Sequence, residues 1–250
     1  MDPESLFDRD GYVFPVDIFD TDEITAYRAA FDEMEAEMGK KKTEAGIISK
    51  EREHEFIWKM GTDSRVLDAV ESVLGPDLIL FGTHVFCKYP AKGVGEESFV
   101  AWHQDVTYWG LEPSKAVSAW IAVDDVDTDN GAMLFIPGSH KHGLFEHGTS
   151  DAGGNLLSVN QAIDEGLFDP DTAVNVGLRA GQISVHDGQT IHGSHPNRSD
   201  RRRCGLTVRF TIPDVRFVGD AKQPATWHVT IVRGEDRYGF QQYENPPVFA

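Results

Sequence analysis

From residue 78 onward the apolar residues of this chain recur with a period of two, and that change decides what the chain can fold into. Runs rich in β-branched and aromatic side chains occupy 78–89, 99–109, 116–123, 132–136, 182–186 and 202–212. Turn chemistry separates them, as at Asp129-Asn130-Gly131 and Pro137-Gly138-Ser139. Many strands with little helix between them predict a mainly β fold, an antiparallel jelly roll.

The first third carries helical signals instead. After Asp20 and Thr21, the residues Ile24, Tyr27, Phe31, Met34 and Met38 recur at helical spacing, with acids early and Lys40, Lys41 and Lys42 at the end. A second helix is predicted from about 63 to 74, where Val66, Val70, Val73 and Leu74 share a face and Gly75-Pro76 stops it. The 250 residues then divide as one domain: helical support mainly over 1–77, a β-barrel core over about 78–212 and a C-terminal extension over 213–250. The segment 141–180, with Gly148, Gly153 and Gly154 and weak periodicity, reads equally as a lid over a site and as a surface insertion.

Charge narrows the partners. A formal net charge of −18 repels phosphates, so neither nucleic acid nor an anionic membrane surface is expected as a partner. A small anionic molecule is still admissible, because a few buried arginines override the bulk field locally. Cys87 and Cys204 are too few for a disulfide framework in a chain of this length. The acidic start, MDPESLFDRD, has no basic n-region followed by an apolar run, and no stretch reaches the roughly 18 apolar residues of a membrane span. A cytoplasmic protein acting on a small molecule is expected, its oligomeric state left open.

Within the run 99–109, His103 and Asp105 are two apart, so on a strand imidazole and carboxylate project from one face. A third ligand from another strand would complete a two-histidine, one-carboxylate face with three coordination positions free. That openness suits an Fe(II) oxygenase, in which a 2-oxo acid chelates through two atoms and dioxygen takes the third position. His192 is the candidate, in a segment that reads as a strand, a polar turn and a basic restart at Arg203. As a hairpin, that segment would bring His192 and Arg203 to one cavity, where the guanidinium fork suits the distal carboxylate of 2-oxoglutarate. Along the last strand Arg203, Gly205, Thr207 and Arg209 share a face that reads as cavity lining, with Gly205 leaving room for a bound molecule. Cys204, Leu206, Val208, Phe210 and Ile212 share the other. The blander readings are that the crowded His186, His192 and His195 satisfy local hydrogen bonds and that 201–203 is a solvated turn.

These residues resemble the phytanoyl-CoA dioxygenase family of 2-oxoglutarate-dependent oxygenases. The matching pieces are W-H-Q-D at 102–105, D-N-G-A-M-L-F-I-P-G-S-H at 129–140 and I-H-G-S-H-P-N at 191–197 followed by Arg203, with F-D-R-D-G-Y at 7–12 as the opening. The resemblance implies a double-stranded β-helix, a distorted cupin-like jelly roll with flanking N-terminal helices and iron in its mouth. It implies His103, Asp105 and His192 as catalytic iron ligands and Arg203 as anchor of the co-substrate 2-oxoglutarate, with dioxygen as the second co-substrate. It further implies Ser194 as a hydroxyl assisting Arg203, Lys88 as a second basic contact, Trp120 as a wall beside the co-substrate and Trp109 as a position near the substrate. Core packing is the alternative for both tryptophans. Asn130, Gly131 and 137–140 are expected to serve turns.

The implied activity is hydroxylation of an unactivated C–H with release of succinate and carbon dioxide. Halogenating relatives lack the carboxylate ligand, whereas Asp105 is present here. A zinc hydrolase on the same ligands gives Arg203 no role, and a non-catalytic jelly-roll protein would not need the full ligand set. An acyl-CoA substrate should show basic residues for its phosphates, and 40–42 and 201–202 are the only clusters. A small polar metabolite or natural-product intermediate is therefore expected, with Arg209 holding an anionic group of the substrate or pairing with a buried acid.

Overall fold

Alternation along the strands has its structural counterpart in a sheet with two different faces. The computed structural model describes residues 2–91, 97–150, 153–157, 160–219 and 227–249. Its principal strands are β1 (Tyr12–Asp17), β2 (Leu78–Lys88), β3 (Val100–His103), β4 (Val117–Ala122), β5 (Met133–Phe135), β6 (Val174–Val176), β7 (Gln182–Asp187), β8 (His192–Ser194), β9 (Arg203–Thr211) and β10 (Thr230–Arg233). The larger sheet runs β1-β7-β4-β9-β2-β10, with Ile47–Ile48 added alongside β2, and the smaller runs β6-β5-β8-β3. Every pairing in both is antiparallel. The two sheets form the jelly roll that the strand pattern predicts, in the double-stranded β-helix form that the resemblance implies.

One face of the larger sheet is given to helices. Phe31 and Met34 of α2 (Thr21–Met38) and Val66 and Val70 of α5 (Ser64–Leu74) join Val85, Cys87, Leu206, Val208 and Phe210 in one buried cluster. Phe31, Val66 and Val70 are fully buried, and each such side chain contributes about 1.5–3 kcal/mol. Packing of this kind pins the sheet from behind and frees its other face to carry polar groups.

Helix ends follow local chemistry. Asp20 caps α2 by accepting from the Asp22 and Glu23 amides, each at 2.9 Å, while the Glu23 carboxylate accepts from the Asp20 amide at 2.9 Å. Asp63 caps α5 by accepting from the Arg65 amide at 2.9 Å, and Gly75 ends it. The expectation for 40–42 is corrected. Gly39, at φ +87°, stops α2, so the three lysines start the separate short helix α3 (Lys40–Glu44) instead of complementing the α2 C-terminus. Other elements had weaker signals. Pro15 in β1 argues against a strand, yet β1 lies at the sheet edge, where a missing amide donor is tolerated. The helix α4 (Glu55–Thr62) and the strands β6 and β10 were likewise not anticipated.

In the segment 141–180, residues 151–152 and 158–159 lie outside the described residues. The rest includes a small hairpin of His147–Thr149 with Gln161–Ile163 and a bridge from Asn155 to Phe99. Both cysteines are buried free thiols. No helix among the described residues is long and apolar enough to cross a membrane.

Candidate active site

Strand alternation alone does not place the three ligands. The expected strand over 99–109 stops at His103, and Asp105 opens a 3₁₀ turn, Asp105–Tyr108. Gln104, wholly buried, makes the break: its amide nitrogen donates to the carbonyls of Gly143 and Gln189 at 2.9 and 2.7 Å. Its amide oxygen accepts from the Phe145 amide at 2.8 Å. With the chain held to these loops, the Asp105 side chain is aimed by the turn and not by the ladder. His192 opens β8 directly opposite His103 of β3, and the two imidazole centroids lie 4.1 Å apart.

The geometry fits a metal ion. Donor atoms of His103, Asp105 and His192 all lie within 4.8 Å of one another. Each histidine approaches a carbonyl with Nδ1, Ala101 for His103 and Thr190 for His192, both at 2.9 Å. A carbonyl only accepts, so Nδ1 carries the proton in each ring and Nε2 presents a lone pair to the cluster. Burial, with the neighbouring His103 adding to it, holds His192 well below the ordinary histidine range, hence neutral. Burial also opposes charge on Asp105, but the His103 and His186 rings, with Nε2 3.6 and 3.7 Å from its oxygens, outweigh it and hold the carboxyl well below its usual range. A neutral imidazole at His192 and an ionised carboxylate at Asp105 are the states that ligation of a divalent metal needs.

Ser118 of β4 donates its hydroxyl to Asp105 Oδ2 at 2.9 Å and orients the carboxylate. Substituting Ser118→Ala is expected to weaken metal binding about 10- to 100-fold with little loss of fold, since it removes one orienting bond. Competition of the variant with a chelator measures this, and unchanged affinity would remove Ser118 from the site.

Behind the ligands lies a buried cationic pocket. Arg203 and Lys88 face each other across β9 and β2 at 2% and 0% exposure. Lys88 Nζ donates to Ser194 Oγ at 2.7 Å and to the His195 carbonyl. Ser194 thus holds Lys88 and does not assist Arg203, which corrects the role expected for it. Burial, then the Arg203 charge, push Lys88 well below the ordinary lysine range, and burial brings Arg203 down to about 10. The Arg203 guanidinium lies 4.6 Å from the Trp120 ring centroid, and among the described residues it has no acidic partner, its Nε no hydrogen bond. A buried cation costs several kcal/mol unless paired, so the pocket is built for an anion from outside.

Two further expectations are corrected. His192 and Arg203 do not form a hairpin: β8 pairs with β3 and β5 in the smaller sheet, β9 with β2 and β4 in the larger. They meet across the barrel, which still brings both to one cavity. Nor does Gly205 leave space for a bound molecule. A Cβ there would come within 2.0 Å of the Trp120 ring, so the glycine admits that indole.

That cavity, of about 240 Å³, is lined by the three ligands and by Arg203, Ser194, Trp120, Trp109 and Arg209. The tryptophans do both jobs: Trp109 is 4% exposed and packs edge-on against Phe81 at 5.2 Å. Leu156, Leu157 and Gln161 bring the 141–180 segment to the wall. Sequence reasoning passed over His84 and Ser118 near this cavity and weighed His186 only as satisfying local hydrogen bonds. His186 sits with Nε2 3.7 Å from Asp105 and neither ring nitrogen hydrogen-bonded, and His84 has an unpartnered Nε2. Alternation within β7, β2 and β4 was the available signal, because each of the three shares its strand's cavity-facing parity.

Of the candidate phosphate contacts, the arginine pair 201–202 is otherwise engaged. Arg202 pairs with Asp124 and Asp32 at 2.8 and 2.6 Å, and Arg201 pairs with Asp127. The turns behave as expected: Asn130 accepts from the Asp127 amide at 2.9 Å, and Gly131, at φ +85°, passes so close to the His195 carbonyl that a Cβ would clash at 2.7 Å.

Comparison with known proteins agrees with this geometry. The family described as phytanoyl-CoA dioxygenase matches residues 7–205. A probable alpha-ketoglutarate-dependent hypophosphite dioxygenase of Stutzerimonas stutzeri is 25% identical over 197 residues, covering 77% of this chain and 67% of that protein. The peroxisomal phytanoyl-CoA dioxygenase of Rattus norvegicus is 23% identical over 264 residues, covering 96% and 77%. The solved structure of the non-heme monooxygenase ThoJ in its apo form superposes with a TM-score of 0.76 at 30% identity, covering 98% of this chain and 88% of that one. Ligand geometry, cationic pocket and fold therefore lead to one assignment: the chain belongs to the phytanoyl-CoA dioxygenase family.

Proposed function

We propose that this protein is an Fe(II)- and 2-oxoglutarate-dependent dioxygenase, a single oxygenase domain that hydroxylates an unactivated C–H of a small polar metabolite or natural-product intermediate and releases succinate and carbon dioxide. One observation carries the reading: a single cavity joins the cluster of His103, Asp105 and His192 to a buried guanidinium, Arg203, that has no acidic partner among the described residues.

Bound iron would supply dioxygen activation and the oxidising power that side chains lack. The protein's own contributions are positional and electrostatic. His103 and His192 present Nε2 because the Ala101 and Thr190 carbonyls hold their Nδ1 protons. Asp105 supplies the negative charge, and Ser118 sets the angle of its carboxylate. Arg203, flat against Trp120, fits the distal carboxylate of the co-substrate bidentately, with the Lys88–Ser194 pair alongside. Trp109, Trp120, Met133 and Leu156 line the cavity and exclude water from it.

Engagement of Arg201 and Arg202 in ion pairs supports a substrate without a nucleotide handle. A zinc hydrolase would leave the Arg203 pocket without a purpose. Metal-stripped protein reloaded with Fe(II) and ascorbate should turn 2-oxoglutarate into succinate, and protein reloaded with Zn(II) should not. Succinate absent under Fe(II) across a substrate screen, or hydrolysis restored by Zn(II), would overturn the reading.

A further inference from the structure

The oxygenase reading leaves one cation of the cavity without a task. Arg209 shares the cavity-facing parity of β9 with Arg203, six residues away, which on an extended strand is about 20 Å between Cα atoms. A single five-carbon diacid cannot reach both. Arg209 pairs in register with Gly82 on one side and Ser118 on the other, and Ser118 is the residue that holds Asp105. The ligand cluster therefore lies beside Arg209, while Arg203 stands further along the same strand, so the cavity has two separate cations.

The surroundings of Arg209 are those of a receptor and not of a structural ion pair. Its guanidinium lies 5.3 Å from the Trp109 ring centroid, its Nε is buried without a hydrogen bond, and it enters no ion pair among the described residues. Gly82 gives room to the Trp227 ring, which a Cβ there would approach to 3.3 Å, with Arg209 Nη1 at an ordinary contact distance of 3.8 Å. His84, its buried Nε2 unpartnered and set against Gly46, and Thr207, its partner in register two residues from Arg209, line the same cavity. Glu51 acts on Arg209 only at a distance, and one of its oxygens is taken by the Thr83 hydroxyl.

Resting on the oxygenase reading, we infer that the Arg209 end of the cavity is the subsite for a carboxylate on the prime substrate, with His84 and Thr207 beside it as hydrogen-bonding partners. The guanidinium fork matches a carboxylate bidentately, and Trp109 beneath it holds the fork flat. Charge count selects a monoanion. Asp105 and Glu51 already act on Arg209, so a dianionic phosphate would place excess negative charge beside the metal ligands. The cavity volume of about 240 Å³, shared with 2-oxoglutarate, confines the substrate part inside it to a small group, below the roughly 300–1,000 Å³ of drug-sized sites.

The test is anaerobic calorimetry on the Fe(II) protein, first with 2-oxoglutarate and then, at saturating 2-oxoglutarate, with four acid and amide pairs: acetate, butyrate, benzoate and phenylacetate against their carboxamides. At least one acid should bind about tenfold or more tightly than its amide, and Arg209→Gln should erase that preference while 2-oxoglutarate still binds. Arg209→Lys should restore part of it, since the charge returns without the fork. A panel in which no acid exceeds its amide, or a preference that survives in Arg209→Gln, overturns the inference. Failure of 2-oxoglutarate to bind the parent protein would instead overturn the oxygenase reading, so the two failures are separable.

Discussion

Replacing Asp105 with alanine is expected to abolish Fe(II)-dependent succinate formation, by about a thousandfold or more. The carboxylate is the only acid in the ligand cluster, and it is held ionised against burial by the neighbouring His103 and His186 rings. Removing one partner of a buried charged set costs about 3–5 kcal/mol, which in a rate or an affinity is roughly a thousandfold. The fold should survive, because Asp105 sits on a 3₁₀ turn secured by Gln104 and by the Val106 amide, which donates to the Gly188 carbonyl at 3.1 Å. Circular dichroism of the variant should match the parent while iron content after gel filtration falls. Succinate formation at the parent rate would mean that the metal is held elsewhere.

Arg203→Gln has a different signature. The KM for 2-oxoglutarate should rise about a hundredfold or more, as expected when one partner of a buried, hydrogen-bonded charge pair is truncated. Stability should move the other way or not at all. In the free protein Arg203 is 2% exposed, and among the described residues no acid offsets its desolvation and the Trp120 face alone compensates. A neutral amide is easier to bury than an unpaired guanidinium, so the melting temperature of the metal-loaded protein without co-substrate should hold or increase. The stabilisation that 2-oxoglutarate gives the parent should shrink with the lost affinity. An unchanged KM would remove Arg203 from the co-substrate pocket, and a collapsed melting temperature with unchanged KM would make it structural.

The two variants test the proposed metal and co-substrate roles separately, because most of the residues concerned come from different sheets. His103 and His192 come from neighbouring strands of the smaller sheet, Arg203 and Lys88 from neighbouring strands of the larger. The cavity is the space between, and its chemistry exists only when both sheets close on it.

Period-two alternation by itself determined which residues of β9 face the cavity and which face the helices, because side chains on a strand must alternate. The division of Arg203, Thr207 and Arg209 from Cys204, Leu206, Val208 and Phe210 was legible for that reason, as were the helix starts after Asp20 and near 63, whose signals are local. The ligand trio and Arg203 were legible through residue type and motif spacing. Only the tertiary structure decided that Asp105 leaves the strand on a turn, that His192 and Arg203 meet from opposite sheets, that Gly205 serves Trp120, and that Lys88 takes the Ser194 hydroxyl. Each of those depends on contacts between segments far apart in the chain, such as Gln104 with Gly143 and Gln189. Local periodicity sets which way a side chain points, and long-range packing sets what it meets there.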